Sequence, residues 1–290
     1  MNENSDRNPI LEFEDDGLHT PSIKEHSLRK IRLHNYYVTL FSTAMKNKWP
    51  QRAYLGLYSG AGRARVTETG KIVATTAVSA LAVADPFTKY IFVDNNRECI
   101  AALKARASAL DKGLDVSFIK KDVSTAVPAI TKAMPSFSKN RGLLSFCFVD
   151  PFSAELDFSV FKELGSQYKM DFLVLLMLGR DVRTNFRRYL EDENDTRIAK
   201  LIDDENWREE WADRGYQARN VVRFMLDKFN QAMERVGYSA VRPDDAHPIR
   251  LLEKNKNVLL YYLVLYSKHP LGRAFWDATR RGTDEQLSLL

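Results

Sequence analysis

Two glycines and three carboxylates carry the chemistry this sequence offers. Gly60 and Gly62 stand in the run Tyr58-Ser59-Gly60-Ala61-Gly62-Arg63-Ala64. Glycines so spaced allow a tight turn and let backbone N–H groups approach a ligand. A loop of this kind between a strand and a helix N-terminus suits an anionic or polar group. The run is not a Walker phosphate loop. Gly70-Lys71 has the wrong spacing and is followed by Ile72, and Arg65 occupies the third glycine place of GxGxxG. Asp94 closes an apolar run, Tyr90-Ile91-Phe92-Val93. An acid there accepts hydrogen bonds from both hydroxyls of a ribose, or else caps the next helix. Asp122, in Lys120-Lys121-Asp122-Val123-Ser124, carries the same two readings. The order of these features, a glycine loop and then two strand-ending acids, points to a nucleoside site more than any one of them alone. Asp150-Pro151-Phe152 ends a fourth apolar run. A carboxylate followed by a rigid proline and a flat ring suits holding a planar amine, and Asp-Pro is also common in plain strand-to-loop turns.

The elements that must position these residues alternate. Short apolar runs at 53–59, 90–94, 116–122, 143–152 and 170–178 read as strands covered on both faces. Helical stretches at 75–83, 98–110, 123–133 and 158–167 lie between them. Strand alternating with helix predicts βαβ units, right-handed crossovers and a parallel sheet. Residues 180–236 change to a charged helical pattern and read as an insertion. Arg180, Arg183, Arg187 and Arg188 there form either a solvated helix face or a phosphate-contacting one. Asn255-Lys256-Asn257 then splits two apolar runs and predicts a β-hairpin, and a helix over 272–280 closes the chain.

Lys plus Arg is 43 against 38 Asp plus Glu over 290 residues, so the charge of +5 permits an acidic partner without demanding one. The sign is uneven along the chain. Residues 1–22 hold Glu3, Asp6, Glu12, Glu14, Asp15 and Asp16 against Arg7, and read as a flexible acidic tail before a single domain at 23–290. Residues 24–52 carry seven cations and the acid Glu25, with Leu28, Ile31, Leu40 and Phe41 as an apolar helical stripe. One or two basic helices are predicted. The opening residues lack a signal peptide's basic and apolar regions. The longest apolar run, 258–266, is about half of the roughly 18 residues a membrane span needs. A soluble, cytoplasmic protein without membrane contact is expected. Cys99 and Cys147 are too few for a disulfide scaffold, and no His pairs at zinc-ligand spacing.

At these residues the chain resembles a class I S-adenosylmethionine-dependent methyltransferase. More closely it is similar to the three-Cys-motif partner (TcmP) family. The resemblance is carried by residues 25–37, by YLGLYSGAGRARV, YIFVDNN and FVDPF, and by the ending YYLVLYSKHPLGRAFW. It implies an α/β fold: a Rossmann-like, mostly parallel sheet of seven strands with a C-terminal antiparallel hairpin, N-terminal helices and the helical insertion. It implies S-adenosylmethionine as cofactor, held by Tyr58, Gly60, Gly62, Asp94 and Asp122, with Asp94 on the ribose, Asp122 on the adenine amino edge and the glycines on the methionine part. Asp150 would then position an acceptor amine, and Phe152 would stack on the acceptor. A three-Cys-motif, radical-SAM-like partner in a phage or mobile-element setting is implied as well. Two positions depart from the pattern. Gly56 stands where such methyltransferases often carry an acid, and Asp-Pro-Phe replaces Asp-Pro-Pro-aromatic. Two functions follow as expectations: a methyltransferase acting on a nucleic-acid or protein acceptor, or a catalytically degenerate module of the same fold that binds a protein partner or nucleic acid.

Overall fold

The computed structural model describes residues 10–138, 141–253 and 256–287. In chain order, β1 (Glu12–Phe13) and β2 (Ser22–Ile23) precede α1 (Ser27–Met45). Then come β3 (Gln51–Leu57), β4 (Arg63–Val66), β5 (Ile72–Ala74), α2 (Thr76–Ala82), β6 (Lys89–Asp94), α3 (Arg97–Ala109), β7 (Val116–Lys120) and α4 (Val127–Ala133). They are followed by β8 (Leu143–Val149), α5 (Ser159–Gln167) and β9 (Lys169–Leu176). A π-helical turn (Leu178–Val182) leads into α6 (Arg183–Glu191), α7 (Arg197–Ile202), α8 (Trp207–Asp213) and α9 (Val221–Arg235). The hairpin β10 (His247–Glu253) and β11 (Lys256–Tyr266) and the helix α10 (Pro270–Leu287) end the fold.

The main sheet has seven strands in the order β10-β11-β9-β8-β3-β6-β7. The five strands from β9 to β7 run parallel, β11 joins β9 antiparallel at one edge, and β10 pairs antiparallel with β11 and so runs in the direction of the five. Every residue of β3 and β6 is buried, as their unbroken apolar runs require when helices cover both faces. Alternation along the strands divides the core. Ala53, Leu55, Ile91, Val93, Cys147 and Val149 face α4, α5 and α9, whereas Tyr54, Phe92, Phe146, Phe148 and Leu173 face α1 and α2. Tyr37 and Phe41 of α1 bury their rings on Phe146. Each such ring contributes roughly 1.5–3 kcal/mol by leaving water. One helix, not two, occupies the basic stretch, and its cations have partners: Lys46 pairs with Asp85, and the Arg52 guanidinium donates to the Ser42 carbonyl at 2.7 Å.

Two expectations are corrected. The glycine loop does not run straight into a helix, because β4 and β5 intervene before α2. Residues 10–22 are not a free tail. They supply β1 and lead into β2 of a second, four-stranded sheet in the order β1-β5-β4-β2. The physical reason lies in charge pairing with residues far along the chain. Asp15 pairs with Arg65 at 2.6 Å, Asp16 with Arg63 at 3.0 Å, and both Asp16 oxygens accept from Arg106 at 2.8 Å. The Arg106 hydrogen bonds hold the Asp16 carboxyl down at about 2. Residues 1–9 lie outside the described residues. So does part of the Asn255–Asn257 turn, since residues 254 and 255 are not described, and Asn257 is already paired with Leu252 in the hairpin ladder. The stretch 180–236 holds the π-helical turn and α6 to α9, whose Trp207, Phe224 and Phe229 enter the same core as Phe158 and Phe161. Among the described residues no helix is long and apolar enough to cross a membrane.

Candidate functional site

Register brings the strand-ending residues to one level. Leu57 of β3 pairs with Val93 of β6 on one side and with Val149 of β8 on the other. The residues that follow, Tyr58, Asp94 and Asp150, therefore emerge side by side at the carboxyl edge of the parallel strands. Strand order also reverses at β3, and the crevice beside such a reversal is where open α/β sheets take ligands.

The glycine loop is built around Asp94. Its Oδ2 accepts from the Gly60 N–H and its Oδ1 from the Asn96 N–H, each at 2.8 Å. The capping alternative belongs to a neighbour: Asn96 Oδ1 accepts from the Glu98 and Cys99 amides and starts α3. An ionised carboxylate offers about four acceptor positions, so Asp94 keeps capacity for ribose hydroxyls. Gly60 has φ +62°, and a Cβ placed there meets nothing within 4 Å, so its backbone borders open space. Gly62 has φ +82° and no such room, since a Cβ would lie 2.7 Å from both Leu103 Cδ1 and Val78 Cγ2. Arg106 donates to the Ala61 carbonyl at 2.7 Å while its other nitrogens grip Asp16, so the segment at 10–23 braces the loop. The Ser59 hydroxyl is buried and makes no hydrogen bond among the described residues, which a polar ligand at this loop would answer. Arg63 and Arg65 are counter-ions of Asp16 and Asp15, and Arg63 also lies 3.8 Å over the Phe13 ring.

Tyr58 takes φ +60°, which turns its ring out of the strand's alternation. It packs on the α4 and α5 side, and its hydroxyl donates to the Glu155 carbonyl at 3.2 Å. Burial, then nearby Asp122, pushes its hydroxyl pKa up. Asp122 is exposed beyond the end of β7. Its Oδ1 accepts from the Ser124 amide at 2.9 Å and the Ser124 hydroxyl at 2.6 Å, so the capping reading holds for this acid. Asp122 thus comes to the rim of the crevice, whereas Asp94 comes to its floor.

Asp150 follows β8 on the α1 face. Lys30 of α1 donates to both its oxygens, at 2.8 and 2.6 Å. Phe152 is 86% exposed. Beneath the pair lies a buried polar chain. His34 is within 3.0 Å of Asn35 Oδ1 through Nδ1 and 2.8 Å of the Tyr54 hydroxyl through Nε2. Burial lowers the His34 pKa to about 3, so this imidazole is neutral at ordinary pH. Gly56 explains the missing acid of the first motif. It sits between Tyr54 and Phe92, and a Cβ there would come within 3.0 Å of the Phe92 ring. Asp181, from the arginine-rich stretch, accepts from the Ala154 amide at 2.6 Å and so anchors the loop that carries Phe152. Arg187 of that stretch pairs with Glu191 in solvent. Sequence reasoning missed Lys30, and it also missed Tyr261, whose buried hydroxyl feels Asp150 from β11. Neither belongs to a motif, and Lys30 is 120 positions from its partner.

Sheet order defines an α/β protein with a Rossmann-like, mostly parallel sheet, five parallel strands extended by an antiparallel hairpin. No known family profile matches the chain, and no curated protein matches it. Among solved structures it is similar to an S-adenosylmethionine-dependent methyltransferase from Clostridium acetobutylicum, with 14% identity over 49% of this chain and 49% of that one and a TM-score of 0.29. It spans about half the length of that protein. It is also similar to a Legionella pneumophila protein, with 10% identity over 84% of this chain and 88% of that one and a TM-score of 0.45. A third likeness is to Trm1 from Pyrococcus horikoshii in complex with S-adenosyl-L-methionine, with 12% identity over 93% of this chain and 64% of that one and a TM-score of 0.41.

Proposed function

We propose that this chain is a TcmP-like, S-adenosylmethionine-dependent methyltransferase acting on a nucleic-acid or protein acceptor. The observation that carries the reading is the Asp94 carboxylate. It is buried at the strand-order reversal, ties down the Gly60 amide and keeps acceptor capacity beside a loop that borders open space. Gly60 and Gly62 would hold the methionine part, Asp94 the ribose and Asp122 the adenine amino edge, with Tyr58 closing one side. When bound, the cofactor supplies a methyl group on a sulfonium, which needs alignment more than activation. Asp150 would orient an acceptor amine and draw on its proton, and Phe152 would present the ring on which a flat acceptor lies. The sequence resemblance further suggests a three-Cys-motif, radical-SAM-like partner and a phage or mobile-element setting.

Two observations favour the alternative, a degenerate module that binds a partner or nucleic acid without turnover. Lys30 already occupies Asp150, and Gly56 removes an acid from the first motif. Calorimetric titration with S-adenosylmethionine and S-adenosylhomocysteine, with Asp94→Ala as control, tests the proposal. Binding in the micromolar range that the substitution abolishes supports it, and heat-silent titrations of the wild type with both ligands overturn it.

A further inference from the structure

The carboxylate expected to receive an acceptor amine already holds an amine of the protein itself. The Lys30 and Asp150 side chains are 16% and 18% exposed, and the ammonium reaches both oxygens. An ion pair so shielded stays closed until another charge takes the place of one partner, because leaving either ion alone there is costly. Either a second cation displaces Lys30 from Asp150, or an anion draws Lys30 away.

The surroundings favour the anion. His26 lies one turn before Lys30. Burial lowers its pKa first, and then the charges of Arg180, Lys30 and Lys24 lower it further. The positive charges of Arg180, Lys30 and Lys24 thus bear together on the start of α1, where Lys30 reaches Asp150. The acid facing them is Glu68, 3.8 Å from Lys24, which also accepts from the Glu25 amide at 3.1 Å. An incoming cation meets repulsion there, and an incoming anion meets attraction.

Two further observations point to what the anion carries. Phe152, two residues after Asp150, presents its ring to solvent at 86% exposure. The Tyr261 hydroxyl is buried, makes no hydrogen bond among the described residues, and lies near enough to Asp150 to feel its charge. A buried hydroxyl without a partner marks a place where a ligand's polar edge is received. Flat rings that stack, polar edges and a regular array of anions occur together in single-stranded nucleic acid. An acidic peptide offers the charge without the flat polar ring.

We infer that Lys30 is a counter-ion latch on the acceptor site, released by a backbone phosphate of single-stranded nucleic acid. The phosphate takes the Lys30 ammonium, and Asp150 then accepts from the exocyclic amine of a base stacked on Phe152. No covalent bond changes in this step: the Lys30 ammonium passes from one anion to another, and Asp150 exchanges its counter-ion for a neutral N–H donor. The inference rests on the proposed function for the later fate of the amine, but the exchange itself is a binding event that needs no cofactor.

The test is fluorescence anisotropy with a labelled deoxyadenosine oligonucleotide of about 12 nucleotides, without cofactor, between about 50 and 200 mM salt. Wild type should bind with a log–log salt slope that Lys30→Gln and Arg180→Gln each make shallower by about 0.7, the value of one released phosphate contact on a single strand. Phe152→Ala should weaken binding roughly tenfold or more. Arg180 and Phe152 are exposed, so their variants report even if Lys30→Gln does not fold. The inference is overturned by no oligonucleotide binding, by Arg180→Gln and Phe152→Ala binding like wild type, or by a poly-glutamate peptide of equal length displacing the oligonucleotide one for one. A failure of S-adenosylmethionine to bind in calorimetry defeats the cofactor reading and leaves this series to stand or fall by itself.

Discussion

The two halves of the carboxyl edge are built in opposite ways. The half around Asp94, where the proposal puts the cofactor, is local and hydrogen-bonded to backbone. Gly60, Asp94 and Asn96 lie within 36 positions of one another and share one carboxylate through two amides. The half around Asp150, where the proposal puts the acceptor, is assembled from α1, β8 and β11, and a charge from a distant helix closes it. A backbone-tied carboxylate is pre-organised and stays where a ligand needs it. A carboxylate tied by a flexible lysine is reversible, and so suits a site that must open.

The largest expected effect breaks the brace under the cofactor half. Asp16→Ala leaves the Arg106 guanidinium, 1% exposed, without its counter-ion. It should cost about 3 kcal/mol or more in urea unfolding. The same pair fixes a pH dependence. Its contribution is complete above about pH 4 and fades as pH falls toward 2, because the folded carboxyl is held below its usual 3.8. A melting temperature that does not respond to this substitution removes the brace from the account. Next, Asp94→Ala should weaken S-adenosylmethionine roughly 100-fold by calorimetry, since a charged acceptor with two amide partners is lost. Asp122→Ala, at the exposed rim, should cost under about tenfold. The glycines sharpen the contrast within the loop. Gly62→Ala should destabilise by about 2–3 kcal/mol through strain and two close contacts, and Gly60→Ala by only about 1 kcal/mol through φ alone. The smallest effect separates the halves. Asp150→Asn should leave S-adenosylmethionine affinity within about twofold, and a larger loss would mean that one ligand spans both.

What was legible in the sequence follows the same division. The strands were readable because apolar runs buried on both faces leave a continuous signal, and Asp94, Asp122 and Asp150 were readable as the residues that end them. The fold class therefore came through. The small sheet did not, because β1 and β2 are two residues each and exist only through pairing with β5 and β4. Six acids with few apolar neighbours read as a tail, and nothing local marks Arg63, Arg65 and Arg106 as partners of Asp15 and Asp16. Lys30 was hidden for the same reason: one lysine among seven cations carries no sign that it reaches Asp150. Tyr58 was placed correctly at the loop, yet only its left-handed φ reveals that its ring turns to the other face of the sheet.

The grip of Arg106 on the first strands has a consequence for how the chain is made. Asp16 and Arg106 are 90 positions apart, and β1 has no strand to pair with until β5 exists. The segment 10–23 therefore cannot take its place before β5 and residue 106 have been made. Contacts this distant in sequence carry the entropy cost of closing a long loop before they return any stabilisation. Until residue 106 has cleared the exit tunnel, Asp16 lacks its guanidinium partner and the glycine loop lacks its brace.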